Sequence, residues 1–110
     1  MRKFGRRKNQ RKAFLKSLAA NLILKEKIKI TEERAKELRS FIERLISDAK
    51  TENLASRRQV ARVLPPVAAR KLTREISPRF KEKKGGYVRL TRLGQRLSDG
   101  ARMVYLELIK

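Results

Sequence analysis

The sequence predicts an α+β fold in the element order α-β-α-α-α-β-β, with a small three-stranded sheet covered by helices and a basic N-terminal arm. Apolar residues recur at helical spacing in two long segments of the N-terminal half, which predicts amphipathic helices. Period-two alternation at 27–31 and 103–109 predicts strands. The 110 residues fit one domain, so we assign residues 1–8 to the arm and 9–110 to a single folded domain.

The first helix is predicted over Asn9–Leu24, and the first strand over Lys27–Thr31. The apolar positions of the helix lie at Ala13, Phe14, Leu15, Leu18, Ala19, Leu22 and Ile23. Arg11, Lys12 and Lys16 lie off that stripe, so one side of the helix is basic.

The second helix is expected to be a structural element. Thr31 can cap its N-terminus, and Glu32 and Glu33 suit the positive end of the helix dipole. Its apolar stripe comprises Ala35, Leu38, Ile42, Leu45, Ile46 and Ala49. Spacing of four residues predicts the ion pairs Glu32–Lys36, Arg39–Glu43 and Arg44–Asp48 on the remaining surface.

Prolines divide the next part of the chain. A third helix is predicted over Asn53–Leu64 and a fourth over Val67–Ile76, with Pro65–Pro66 between them and Ser77–Pro78 closing the fourth. A loop, Arg79–Gly86, follows, and then the strands Tyr87–Leu93 and Met103–Ile109, joined by the turn-rich connection Gly94–Arg102. The last two strands predict an antiparallel hairpin, whereas the long crossover from the first strand permits a parallel pair.

The charge points to a polyanionic partner. Thirty-one Lys and Arg against eleven Asp and Glu give a formal net charge of +20. Residues 53–74 contain six basic residues and no acid, whereas residues 31–52 contain five basic and six acidic ones. A compact fold with this charge repels itself unless a polyanion neutralises it, and counterion release from phosphates would supply much of the affinity. The predicted partner is nucleic acid.

Composition argues against catalysis, cofactors and membranes. The chain has no Cys and no His, which removes thiolate chemistry and the usual zinc ligands. Most carboxylates lie in the second helix, where ion pairing accounts for them. No apolar stretch approaches the length that spans a bilayer, and no signal-peptide pattern follows the basic N-terminus. We therefore expect a cytoplasmic protein that is not an enzyme, without a cofactor, bound metal, membrane partner or small-molecule substrate.

The candidate nucleic-acid contacts are basic residues in three regions. In the arm and first helix they are Arg2, Lys3, Arg6, Arg7, Lys8, Arg11, Lys12 and Lys16; in the third helix, Arg57, Arg58 and Arg62; around the loop, Arg79, Lys81, Lys83, Lys84 and Arg89. The arm buries too little to fold alone, so we expect it to order on binding. The alternative is a solvated charged tail.

The loop also contributes Gly85, Gly86 and Tyr87 as candidates. Two glycines permit a tight turn into the strand, or a close approach of the backbone to a phosphate. The sequence does not match the spacing of a nucleotide-binding phosphate loop. Tyr87 can stack on a base or pack against a helix, and the sequence leaves both open.

Several separate phrases together resemble the bacterial large-subunit ribosomal protein L17 family. They are QRKAFLKSLAANLI, ITEERAKELR with ERLISDAK, ASRRQVAR, and SPRFKEKKGGYVRLTRLGQRLSDGARMVYLEL, and their order covers nearly the whole chain. The resemblance implies an α+β fold with a three-stranded mixed sheet. It also implies a structural role near the exit of the peptide tunnel, with large-subunit ribosomal RNA and neighbouring large-subunit ribosomal proteins as partners.

Residues and resemblance together predict that 9–110 is an RNA-binding domain of a ribosomal protein. RNA of this kind is recognised mostly through backbone shape and irregular junctions. The alternative function is a free-standing nucleoid-like DNA-binding or RNA-chaperone protein. A small metal-dependent nuclease would need carboxylates that converge in space, which the predicted pairing in the second helix argues against.

Overall fold

The computed structural model describes residues 2–51, 53–83 and 85–109, with residues 2–9 described by their backbone alone. The elements are α1 (Arg2–Lys25), β1 (Lys27–Thr31), α2 (Glu32–Thr51), α3 (Leu54–Val63), α4 (Pro66–Lys71), a π-helical turn (Leu72–Ile76), α5 (Ser77–Arg79), β2 (Val88–Gln95) and β3 (Arg102–Leu108). The α+β fold class and the predicted order are confirmed, with the fourth helical region divided into three short parts.

The sheet is antiparallel throughout, so the expected mixed sheet is wrong. Its strand order is β1-β3-β2, and β3 runs antiparallel to both neighbours. The strands β1 and β2 do point the same way, but β3 lies between them, so the helical crossover joins two edge strands that do not pair. The central position suits β3 because Val104, Leu106 and Leu108 give it a fully buried face.

The core is formed by α1, α2, α3, α4, the π-helical turn and one face of the sheet. Every residue of the predicted α2 stripe is buried, from Ala35 to Ala49. Across the sheet, alternate residues of all three strands join the same cluster, as period-two alternation requires. From α1, Ala19, Leu22 and Ile23 are fully buried, whereas Phe14 is 41% exposed.

Helix α1 begins at Arg2, well before the predicted start at Asn9. The expected boundary rested on the apolar stripe, which is absent from the first eight residues. Lys and Arg are good helix formers, however, so a helix can continue through a segment that has no apolar stripe.

The fourth helical region continues past Pro78, where it was expected to close. Its π-helical turn places the Ser77 N–H against the carbonyl of Leu72, five residues earlier. Proline has no N–H and clashes with the carbonyl four residues before it, so an ordinary helix breaks there. The wider turn accommodates Pro78, and the helical backbone extends to Arg79.

The three ion pairs expected along α2 do not form among the described residues. Glu32 instead pairs across the fold with Arg92 of β2, at 3.2 Å, and with Arg102 of β3, at 4.0 Å. Glu43 accepts hydrogen bonds from backbone N–H groups of the loop before β2. These carboxylates join α2 to the sheet, a contact that helix periodicity alone does not predict.

Candidate nucleic-acid interface

The clearest basic site is a cleft between α3 and the helical region α4–α5. Arg57 comes from α3, Arg70 from α4 and Arg74 from the π-helical turn, and together they line a groove floored by Val60 and Ala69. Hereafter this groove is the arginine cleft. All three arginines are exposed, while Val60 is buried beneath them. The elements therefore deliver three guanidinium groups to one surface depression.

Local hydrogen bonds fix the two walls of the arginine cleft. The Asn53 side chain accepts a hydrogen bond from the Ser56 N–H at 2.8 Å and so caps the N-terminus of α3. The Arg57 N–H donates to the Asn53 carbonyl, which places Arg57 in the first turn of this capped helix. On the other wall, the Thr73 hydroxyl is within hydrogen-bond distance of the carbonyls of Ala69 and Arg70, at 3.1 and 3.2 Å. Both segments that carry the arginines are thus stabilised by hydrogen bonds between their own side chains and backbone.

The charge of this surface is not neutralised within the described residues. Arg57, Arg58 and Arg62 of α3, together with Arg70 and Arg74, form no ion pair there. Guanidinium groups bind phosphate with two parallel N–H donors, so a cleft with several of them is suited to a phosphate backbone. Arg70 and Arg74 were not among the predicted contacts. Their i,i+4 spacing within the acid-free segment was the signal that could have found them.

The predicted contacts on α1 are only partly within the described side chains. Arg11, Lys12 and Lys16 are exposed, and Arg11 lies 3.7 Å from Glu37 of α2. An exposed pair at that distance contributes little, so Arg11 stays available to another anion. The side chains of Arg2, Lys3, Arg6, Arg7 and Lys8 lie outside the described part, so their predicted role stays a prediction.

Arg79 holds the fold together at the start of β1. Its guanidinium is 2.6 Å from Glu26, whose other carboxylate oxygen is 3.1 Å from Lys71 Nζ. These bonds outweigh the opposing effect of partial burial: the hydrogen bond from Arg79, then that from Lys71, lowers the pKa of Glu26 to about 2. The Arg79 guanidinium is therefore held in an ion pair within the protein, which makes it less available to RNA.

The loop that contains Gly85 and Gly86 is hydrogen-bonded to the carboxylate of Glu43. Gly86 has φ of 66°, the left-handed conformation in which glycine is favoured. The Glu43 Oε2 atom accepts from the Gly86 N–H at 3.1 Å and from the Tyr87 N–H at 3.3 Å. These two amide donors are already occupied, so close approach of a phosphate to them is not favoured. Gly85 adjoins them, Lys81 and Lys83 remain exposed, and Lys84 lies outside the described residues.

Tyr87 is a core residue, which matches the alternative that it packs within the fold. Only 2% of its surface is exposed, and its ring lies 5.0 Å from that of Phe80. Its hydroxyl donates to the Lys83 carbonyl at 3.1 Å and accepts from Lys50 Nζ at 2.8 Å. A ring enclosed in this way cannot stack on a base. The strand β2 begins at Val88, one residue after the predicted start at Tyr87, so Tyr87 lies at the end of the preceding loop.

Arg89 lies on the solvent side of β2. Its side chain is 61% exposed and lies 3.4 Å from Glu107 on the neighbouring strand. Cross-strand pairs of this kind are weak in water. Arg89 therefore remains accessible.

Fold and surface together define a small, strongly basic α+β protein in which three arginines line one groove, with no acid among the residues that line it. The described residues contain no group of His, Cys, Asp and Glu suited to a metal ion, and none of their helices has the length and apolarity needed to cross a bilayer. The model of the family "Ribosomal protein L17" matches residues 14–109. The chain belongs to the ribosomal protein L17 family.

Curated relatives agree over nearly the full length. The chain is 45% identical to a protein named large ribosomal subunit protein bL17 from Staphylococcus epidermidis, over 98% of each chain. It is 44% identical to the protein of the same name from Exiguobacterium sibiricum, over 97% of each chain, and 45% identical to that from Staphylococcus aureus, over 98% of each. This is a family of ribosomal proteins rather than enzymes, which confirms the expected absence of catalysis.

Proposed function

We propose that this protein is a structural component of the large subunit of the cytoplasmic ribosome and binds large-subunit ribosomal RNA. The single observation that carries the RNA contact is the arginine cleft, where Arg57, Arg70 and Arg74 converge without an ion-pair partner in the described part of the chain. Family membership supports the ribosomal setting. Neighbouring large-subunit ribosomal proteins are the further partners.

Three surfaces supply the contacts in this proposal. The first is the arginine cleft with Arg58 and Arg62. The second is α1, with the predicted contacts that begin at Arg2 and end at Lys16. The third is the loop of Lys81, Lys83 and Lys84 with Arg89 beside it. Phosphate contacts of this kind position a protein on folded RNA without selecting a base sequence. A location near the exit of the peptide tunnel, which the family resemblance implies, completes the proposal.

Substitution of the arginine cleft tests the RNA contact. The variant Arg57→Gln/Arg70→Gln/Arg74→Gln should bind large-subunit ribosomal RNA less tightly. If each arginine neutralises one phosphate, the slope of log affinity against log salt should become shallower by about 2 to 3. The matched control is Lys36→Gln/Arg39→Gln/Arg44→Gln, which removes the same charge from exposed positions of α2.

The control should retain nearly the parental slope, because α2 carries the acidic residues of this region. Equal losses from the two triple variants would show that net charge alone governs binding and would contradict a specific contact at the cleft. Sedimentation of ribosomes then tests the setting. The protein should cosediment stoichiometrically with large subunits at moderate salt, whereas a free-standing DNA-binding or RNA-chaperone protein would remain in the soluble fractions.

A further inference from the structure

The two faces of the sheet differ sharply in chemistry. Most residues that face the helices are apolar: Leu106 of β3 belongs to the core, and Ile28 and Ile30 of β1 and Leu90 of β2 pack against it. The alternate residues point the opposite way. On β1 and β2 these are Lys27, Lys29, Arg89 and Thr91, all exposed; on β3 they are Met103, Tyr105 and Glu107, all partly exposed.

Tyr105 occupies the centre of this outward face. It lies on the middle strand, directly opposite Lys29 on one side and Thr91 on the other. Residues paired in this way have Cβ atoms about 5 Å apart, so the neighbouring side chains flank the ring. The next row consists of Lys27, Glu107 and Arg89. Three cations and one carboxylate thus surround one aromatic ring.

A cation already lies over the ring of Tyr105. Lys27 Nζ lies 4.3 Å from its centroid. An exposed contact of this kind is weak, and the lysine stem can rotate away from the ring. The site therefore offers a π-face that becomes free when the ammonium moves to a stronger anionic partner.

We propose that the outward face of the sheet binds an unpaired nucleotide of RNA, with its base stacked on Tyr105. Lys27, Lys29 and Arg89 would lie beside the phosphates that flank the nucleotide. An aromatic residue at the centre of a sheet, with cations around it, has the chemistry that binds unpaired bases in single-stranded RNA. This inference rests on the proposed RNA-binding function and adds a second site, separate from the arginine cleft, that contacts a base.

Charge complementarity favours RNA over a protein on this face. A protein partner would need acidic residues to match the three cations and an apolar patch larger than Tyr105 and Met103. A nucleotide supplies both a flat π-surface and negative charge at the required scale. The site also differs in chemistry from the arginine cleft, which contains no aromatic residue among its lining side chains.

Two substitutions at one position separate stacking from charge. Tyr105→Leu removes the ring, and Tyr105→Phe retains it without the hydroxyl. Binding of each variant and of the parent to a short single-stranded RNA is measured at fixed salt, after circular dichroism shows that all three are folded. Tyr105→Leu should bind about tenfold more weakly, as expected for the loss of one stacked base, and Tyr105→Phe should bind like the parent.

Photocrosslinking supplies a second measurement that does not depend on a variant. RNA containing 5-iodouridine is irradiated with the parent protein, and the crosslinked peptide is identified by mass spectrometry. The crosslink should fall on Tyr105. A crosslink on another residue, together with parental affinity in Tyr105→Leu, would overturn the stacking site and leave the outward face to a protein partner or to solvent.

Failure of this inference can be distinguished from failure of the proposed function. If Tyr105→Leu binds like the parent while the arginine-cleft variant loses affinity, RNA binding stands and stacking on the sheet is wrong. If the parent protein binds neither the short RNA nor ribosomal RNA at moderate salt, both are wrong. If Tyr105→Phe loses as much affinity as Tyr105→Leu, the hydroxyl rather than the π-face makes the contact, which also overturns stacking.

Discussion

Glu26 combines a left-handed backbone conformation, two backbone hydrogen bonds and two ion pairs. It follows α1 directly and has φ of 65°, a conformation that costs a residue with a side chain about 1 kcal/mol or more. Its N–H donates to the Leu22 carbonyl at 2.6 Å, and its own carbonyl accepts from the Leu108 N–H at 2.9 Å. The backbone thus ends the helix and starts the sheet at one position, while the carboxylate binds Lys71 and Arg79.

Replacement of Glu26 with Gln should lower Tm at neutral pH, because two cations lose their carboxylate partner. The pKa of Glu26 is about 2 in the folded protein and 4.5 without its partners. A depressed pKa stabilises the fold fully above the unfolded value, and this contribution disappears as pH falls toward the folded value. The difference in Tm between parent and Glu26→Gln should therefore narrow as pH falls from about 5 to about 2.

Asp99→Asn is the control for this pH series. The pKa of Asp99 is also lowered to about 2, by hydrogen bonds from Arg96 and from the Ala101 N–H, but its ion pair lies at an exposed turn. Exposed pairs contribute little, so this variant should lower Tm less than Glu26→Gln at neutral pH. A Tm difference for Glu26→Gln that stays constant throughout the acid range would contradict the ion-pair explanation.

Leu45 should contribute more to stability than any exposed residue of α2. Its side chain is 3% exposed and belongs to the core. Leu45→Ala should reduce the free energy of unfolding by about 2–5 kcal/mol, through lost burial and the remaining cavity. Urea denaturation monitored by circular dichroism measures this change.

Arg44→Ala is the appropriate comparison for Leu45→Ala, because Arg44 is exposed and forms no ion pair among the described residues. Helix spacing predicts Glu43 on the surface of α2, paired with Arg39. The structure shows that Glu43 binds the loop before β2, so its substitution would also disturb that loop. Comparable destabilisation by Leu45→Ala and Arg44→Ala would contradict the assignment of the buried face.

At the scale of elements, the loop before β2 depends on backbone geometry. Gly86→Val places a β-branched residue at φ of 66°, where side chains are strained, although the nearest atom to an added Cβ is Lys83 Cε at 3.9 Å. Strain rather than a clash should therefore displace the amides that bind Glu43. We expect Gly86→Val to lower Tm and to weaken RNA binding more than Lys83→Ala, which removes one exposed charge.

Thermal denaturation and a binding titration at fixed salt make this comparison. Lys83→Ala retains the carbonyl that accepts from the Tyr87 hydroxyl, so its loop should keep its shape. If Gly86→Val leaves both Tm and affinity at parental values while Lys83→Ala weakens binding, the loop acts through charge alone and the geometric explanation is wrong.

The elements that could be predicted from sequence are those with one dominant periodicity. The apolar stripe of α2 and the alternation of β3 identify buried residues directly, and the alternation of β1 identifies the partly buried Ile28 and Ile30, because burial repeats with the period of the backbone. The start of α1 and the passage through Pro78 could not be predicted this way. In the first, helix propensity continues beyond the apolar stripe; in the second, a π-helical turn replaces the break that proline usually causes.

The candidate interface was only partly predictable for a related reason. Composition identifies the acid-free segment, and helix spacing places Arg57 on a surface. The cleft also needs Arg70 and Arg74. A tertiary contact between α3 and α4 brings these two residues opposite Arg57. Tyr87 could not be assigned, because strand alternation shows which residues share a face but not whether a loop or helix covers it.

For the whole molecule, the net charge of +20 should act in opposite directions on stability and on binding. The free protein repels itself, so added salt should raise its Tm by screening like charges. RNA binding releases counterions, so the same salt should weaken it. If on the order of eight phosphates are neutralised, log affinity should fall with log salt at a slope of about −6 to −7.

Thermal denaturation of the free protein and RNA titrations over the same salt series measure the two effects. The expected slope is well below the formal charge because only cations that contact the RNA neutralise phosphates, while the other cations stay on solvated surface. A slope near −2 would mean that only about two or three phosphates are neutralised and that most of the charge remains solvated surface. The arginine cleft alone would account for such a slope, so it would contradict the assignment of three RNA-binding surfaces.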